Sequence, residues 1–448
     1  VTSGNGGNGG NGGNVAGAGD GGNGGNGGNV AGAGDGGNGG NGGSVAGAGA
    51  GAGGGGRGGA PVPAKPEVDG RGAGRAPVTA GEDAGGRRPG SPRLLLGAAT
   101  AATIGAGVTR FLPSGRVLPF LVSGVALGLL AALVGRYVDA LSERLGAGAT
   151  GVVQSALGNL PELFFSIFAL RAGLIGVVQA TLVGSILANV VLVLGVAFFV
   201  GGVRHGTQRF PAEAARSIGL LLVLAVAILA VPSLTAALHT PASHHETTLS
   251  FVAAVVLLGV FILSVPSSLG RRAAGEKSKT PAEAGPAEAG PEGRRATPFS
   301  LAIVGLAGTS AAAALVSDWF VHALGPAIGA LHISQAFAGL VIVAIAGNAV
   351  ENVVGVQLAA RNQADYALSV ILQSPLQIAL VLIPVLVLAS PLIGGPALTL
   401  ALSPLLLVTL VLSALVAVFV VFDGESTWLE GACLIGLYVV VAAAFWWG

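Results

Sequence analysis

Two carboxylates stand where chemistry is hardest to avoid. Glu162 closes the run Gly158-Asn159-Leu160-Pro161-Glu162, and Glu351 closes Gly347-Asn348-Ala349-Val350-Glu351. They are 351 − 162 = 189 residues apart, and each is followed 23 residues later by a serine, Ser185 and Ser374. Both runs lie inside apolar stretches long enough to cross a bilayer. A carboxylate there is costly and usually functional. Two of them, matched in two halves of one chain, mark a transporter built from an internal repeat. Ionised and unaccompanied, both would carry a large desolvation cost. They are expected to cross loaded, by a divalent cation or by protons. Alternate loading on the two sides would give cation/proton antiport.

The neighbouring residues suit that chemistry. On a helix, Asn159 and Glu162 are i and i+3 and share a face, as do Asn348 and Glu351. Ser155 and Ser166 extend the first polar stripe. Gly158, Gly347 and Pro161 permit local unwinding, which frees backbone carbonyls where a cavity can receive them. Hard cations such as Ca²⁺ take about 6–8 oxygen ligands. Glu162 and Glu351 are the expected metal ligands, with Asn159, Asn348, Ser185 and Ser374 beside them. Supporting positions are Ser166, Gln179, Asn189, Asn352, Gln373 and Gln377. For Gln179 and Gln377, interhelical polar packing is an equally good reading.

These residues need a membrane scaffold, and the composition provides one. Of 448 residues, 52% are hydrophobic and only 10% charged, against about 25% charged in soluble domains. Apolar blocks recur at lengths that span a ~30 Å hydrocarbon core. They show no two-residue alternation, which argues against an outer-membrane barrel. The formal net charge of +1 gives no reason to expect nucleic acid as a partner. The single cysteine, Cys433, allows no internal disulfide and no cysteine cluster.

Residues 1–93 read as a disordered tail, with VAGAGDGGNGGNGGN at Val15–Asn29 recurring almost unchanged at Val30–Ser44. Glycine and asparagine leave nothing to bury against the ordering entropy. Eleven apolar segments follow, near 94–110, 117–138, 150–170, 174–200, 217–238, 248–266, 299–322, 334–360, 366–391, 397–422 and 427–447. The long polar stretch 267–298 separates 94–266 from 299–448. The expectation is an all-α polytopic membrane protein of about 11 transmembrane helices, one leading helix plus two inverted five-helix repeats. With the N-terminus cytoplasmic, 19 of the 22 Lys and Arg residues fall inside, and only Arg110, Arg116 and Arg171 outside. The C-terminus is then external, the 267–298 loop cytoplasmic, and the two Glu-bearing helices run in opposite directions.

At these residues the chain resembles the cation/Ca²⁺ exchanger superfamily. GNLPELFFSIFALRAG with VVQATLVGSILANVVLVLG (158–173 and 177–195) is similar to its first repeat. GNAVENVVGVQLAARNQADYALSVILQSPLQIAL (347–380) is similar to the second repeat of its Ca²⁺/H⁺ antiporter branch. The resemblance implies a ten-helix inverted-repeat core, an extra N-terminal helix, and Glu162 and Glu351 as the shared cation and proton site. Two positions depart from the family pattern. Asn352 replaces the His that usually follows the second Glu, and Gln373 replaces the Gly before Ser374. Having only two central carboxylates favours protons over several Na⁺ as counter-ion. A Na⁺/H⁺ or K⁺/H⁺ exchanger on the same fold is the alternative.

Other classes fit less well. There is no Walker motif for ATP-driven pumping and no HExxH for an intramembrane protease, so no enzyme activity is expected. A channel has no need of proton-loadable carboxylates in both halves. Beyond the transported cation and protons, no cofactor is expected; the partner is the lipid bilayer, and a bacterial plasma membrane is the expected location. His239, His244, His245, His322 and His332 fall on or near external loops and, with Glu246, could bind Zn²⁺ or sense pH. Asp139 and Asp318 sit near expected helix ends, and Asp365 suits an N-cap.

Overall fold

The computed structural model describes residues 92–142, 153–154, 157–278 and 298–447. The side chains of Pro92, of residues 265–278, and of Val350 and Glu351 lie outside that description. So do the tail over 1–91, Ser155, and most of the polar stretch.

The described chain is almost wholly helical, because long Leu/Val/Ala/Ile runs must pair their own backbone groups in an apolar medium. The helices are α1 (Pro92–Phe111), α2 (Leu118–Ser142), α3 (Leu160–Arg171), α4 (Ile175–His205), α5 (Ala212–Ala237), α6 (Glu246–Ser278), α7 (Phe299–Leu331), α8 (Gln335–Gly347), α9 (Ala349–Ala359), α10 (Ala364–Ile393), α11 (Pro404–Val420) and α12 (Trp428–Trp446). Their ends follow local chemistry. Thr427 and Glu430 form a reciprocal capping box at the start of α12. Ser403 accepts the Leu406 N–H with Pro404 at the first helical position of α11. Gly394, at φ 83°, ends α10 in a conformation that only glycine adopts cheaply.

Among the described residues, eight helices are long and apolar enough to cross a membrane, and the bent α8–α9 pair makes a ninth. Segment 397–422 holds a shorter apolar helix, α11, and segment 150–170 the 12-residue α3. Boundaries differ from expectation in three places. Helix α6 continues to Ser278, inside the stretch read as polar loop. Helix α7 continues to Leu331, so Asp318 and His322 lie within it, 3.5 Å apart as an i,i+4 pair, and not at its end or on a loop. Residues 397–403 are extended, not helical.

That extended stretch is buried at Leu398, Leu400 and Leu402, and side chains satisfy its backbone. The N–H groups of Leu398, Leu400 and Leu402 donate to the hydroxyls of Ser390, Ser250 and Ser233 at 3.0, 2.9 and 3.1 Å. The Gln179 amide donates to the carbonyls of Thr399 and Ala401 at 2.9 and 3.3 Å. Four helices therefore replace the hydrogen bonds that a helix would have made for itself.

Contacts order the helix ends. At one end, β1 (Gln208–Arg209) pairs antiparallel with β2 (Glu425–Ser426), and the Gln208 amide reaches Ala359 O and Asn362 Oδ1. At the other, Ser334 bonds the last turn of α12, and Gly395 abuts the Leu170 carbonyl. Helices α2 and α7 pack antiparallel, with Phe120 stacked on Phe320 at 4.9 Å and Gly305 against the Tyr137 ring.

Candidate ion-binding site

Both glutamates occupy the same place in a broken helix. Asn159 lies just before α3 with φ −99° and ψ 25°, and Asn348 just before α9 with φ −94° and ψ 24°. Each Glu is the third residue of the helix that follows. The unwinding expected from Gly158, Pro161 and Gly347 is therefore present, and α8–α9 bends by 64° across it. It adds one detail: each Asn is the residue that begins its helix, its carbonyl accepting the N–H of Leu163 or of Asn352. The free N–H groups of a helix's first turn carry partial positive charge, which favours a carboxylate there even away from water.

Glu162 is buried, at 4% exposure. Its carboxylate lies against Gly347, where a Cβ would come within 2.9 Å of Oε1. A side chain there would compete for the space that the first motif's carboxylate fills. The two motifs thus meet, although they are 189 residues apart. Glu351 sits on α9 one turn past Asn348.

A polar cluster surrounds this junction. Asn348, fully buried, accepts at Oδ1 from Asn189 Nδ2 at 2.9 Å and from Ser374 Oγ at 3.3 Å. Its own amide donates to Ala344 O at 2.9 Å. Asn189 also donates to Ser185 O at 2.9 Å. In the first half of the chain, buried polar atoms have no hydrogen-bond partner: Asn159 Nδ2, Ser166 Oγ, Ser185 Oγ and Asn189 Oδ1. Thr181 Oγ1 joins them. Thr181, Ser185 and Asn189 are spaced i, i+4, i+8 and make one oxygen-bearing stripe on α4. Thr181 is not among the candidates named from the sequence, although its four-residue spacing from Ser185 puts the two on one helix face. Buried unpaired oxygens are rare and call for water or an ion.

The remaining candidates separate. Gln179 is committed to the extended stretch 397–403. Gln377 is buried at the start of a π-helical stretch of α10, Ile378–Leu382, which answers Ala188–Val193 in α4. Gln373 is exposed beside buried Ser374, and Asn352 is half-buried with Nδ2 3.5 Å from Ile345 O. Asp365 does not cap α10; Gln363 holds that position, with no side-chain cap bond. Among the described residues no three His, Cys, Asp or Glu side chains gather to hold a metal, so the histidines and Glu246 form no such cluster.

The family model described as sodium/calcium exchanger protein matches residues 116–269 and 300–447. This chain belongs to that family. It is an integral membrane protein whose relatives are transporters. A Ca²⁺/H⁺ antiporter of Synechocystis sp. is 35% identical over 74% of this chain and 91% of its own. That of Aphanothece halophytica is 35% identical over 73% and 89%. The crystal structure of the Ca²⁺/H⁺ antiporter YfkE superposes with a TM-score of 0.65 at 27% identity, covering 79% of this chain and 99% of YfkE.

Proposed function

We propose that this family member is a secondary antiporter that moves Ca²⁺ one way across the membrane and protons the other. The observation that carries the reading is the Glu162 carboxylate, buried at the start of a broken helix against the glycine of the second motif, with the unpartnered Ser166 hydroxyl one turn further along the same helix. Such a site suits a hard cation, which needs several oxygens at once. With the cation gone, protonating the carboxylates removes the cost of burying their charge. The site is then loaded by one species or the other. The names of relatives at 35% identity support Ca²⁺ and H⁺ as that pair.

The eleven apolar segments, arranged as a leading helix and two inverted five-helix repeats, would give alternating access about this site. Several facts support the arrangement: the paired helix breaks, the paired π-helical stretches, and the segregation of connections to two ends. The Lys/Arg distribution supports a cytoplasmic N-terminus, an external C-terminus and, with bacterial relatives, a bacterial plasma membrane. Beyond its ions the protein needs no cofactor.

The test is collapse of a preset ΔpH in proteoliposomes, triggered by Ca²⁺, Mg²⁺, Na⁺ or K⁺ in parallel. A saturable response to low Ca²⁺, absent with Na⁺ and K⁺, is expected. A response to Na⁺ or K⁺ alone would overturn the Ca²⁺ assignment.

A further inference from the structure

The two halves of the site differ at a residue on α7. With the 189-residue offset that relates the glutamates, Ser317 answers to Gly128 of α2; each precedes its motif Glu by 34 residues. Gly128 packs against the second motif, and a Cβ there would come 3.3 Å from Ala346 O. Its side of the site receives no polar side chain from that position of the long helix. The other side has one. Ser317 is completely buried, and its hydroxyl has no hydrogen-bond partner. A buried serine on a helix ordinarily bonds its own i−4 carbonyl; this one does not.

Its position follows from the aromatic contacts. Phe165 of α3 and Phe320 of α7 meet edge to face at 5.8 Å. At the other end, Leu157 and Leu160 pack in one cluster with Leu306. Helices α3 and α7 therefore run in the same direction. Glu162 precedes Phe165 by three residues, and Ser317 precedes Phe320 by three. Residues at that spacing share a helix face. Ser317 and Glu162 thus lie at the same level on facing helices, one turn from the touching rings.

We propose that Ser317 is a further cation-binding residue, its hydroxyl oxygen entering the ligand shell beside Glu162. It would give the first-motif half an oxygen that the second-motif half lacks. The inference rests on the antiport reading but not on which cation is carried. The experiment is ΔpH collapse in proteoliposomes, with whichever cation drives wild-type proton movement. Wild type, Ser317→Ala, Ser317→Gly and Ser310→Ala are compared, together with thermal stabilisation of each detergent-solubilised protein by that cation. Ser310, two turns away on α7, also has an unpartnered hydroxyl and serves as the control.

Ser317→Ala and Ser317→Gly should each raise the KM for the cation roughly five- to tenfold, the size of one lost polar contact. The maximal rate should change little, and Ser310→Ala should behave as wild type. An unchanged KM in both Ser317 variants, or an equal rise in Ser310→Ala, would overturn the proposal. A wild type driven by Na⁺ instead of Ca²⁺ would overturn the Ca²⁺ reading, while a KM shift for Na⁺ in the Ser317 variants would still support this one.

Discussion

The two motifs share a backbone but not a state of satisfaction. Asn348 is held from three directions, by Asn189, Ser374 and its own bond to Ala344. Asn159, its counterpart, leaves its amide nitrogen unpaired, and Ser185 leaves its hydroxyl unpaired. One residue accounts for part of the difference. Asn189 in α4 reaches across to the second motif, and the equivalent position in the second half, 189 + 189 = 378, is Ile378, which cannot reach back. One half of the site is pre-organised by protein hydrogen bonds, and the other keeps its polar atoms available. Under the proposed antiport, the pre-organised half would discriminate ions and the open half would exchange them.

The most severe way to break the comparison is to neutralise a glutamate. Glu162→Gln or Glu351→Gln should reduce exchange by more than roughly 100-fold, beyond the effect of losing a partner of a metal ligand. Fluorescence-monitored proton flux in proteoliposomes reads this directly, and near-normal flux in either variant would sink the mechanism. Gly347→Ala comes next. Its new methyl group would press on the Glu162 carboxylate, so a loss of about tenfold is expected in the same assay, with Gly173→Ala, on an open turn at φ 76°, as the control for general damage.

Asn189→Ile makes the two halves alike by copying Ile378. It removes the shorter of the two side-chain bonds to Asn348 and should weaken cation affinity by about five- to tenfold. Measured affinity equal to wild type would mean that the second motif does not need pre-organising. The finest test compares Ser185→Ala with Ser374→Ala. Ser374 is already engaged with Asn348, whereas Ser185 is not. Ser185→Ala should therefore raise the KM by about three- to fivefold and Ser374→Ala by about twofold. The reverse order would mean that the polar atoms left open do not take part in binding.

Much of this was legible in the sequence, for definite reasons. Charged residues in apolar runs are so costly that Glu162 and Glu351 stood out as candidates, and glycine and proline beside them foretold the breaks. What stayed hidden depended on three-dimensional neighbours. Nothing in the spacing of Asn189 reveals that it would bond Asn348, 159 residues away. Gln179 looked like a site residue because any buried amide does, yet it serves backbone carbonyls in a distant connection. Segment 397–422 reads as a single helix because extended and helical apolar runs have the same composition when serines elsewhere supply the hydrogen bonds. Asp318 and His322 were placed near a helix end because α7 continues past the most apolar part of its sequence.

The extended stretch 397–403 bears on how the chain assembles. Three of the residues that clothe it, Gln179, Ser233 and Ser250, belong to helices α4, α5 and α6. Until those helices are in place, the Leu400 amide and the carbonyls of Thr399 and Ala401 lack these partners in a bilayer. The second half of the molecule therefore completes this stretch's hydrogen bonds only against the first. Its biogenesis waits on the first half, as a latch waits on its frame, and a ribosome releasing the chain N-terminus first delivers the parts in the order the latch requires.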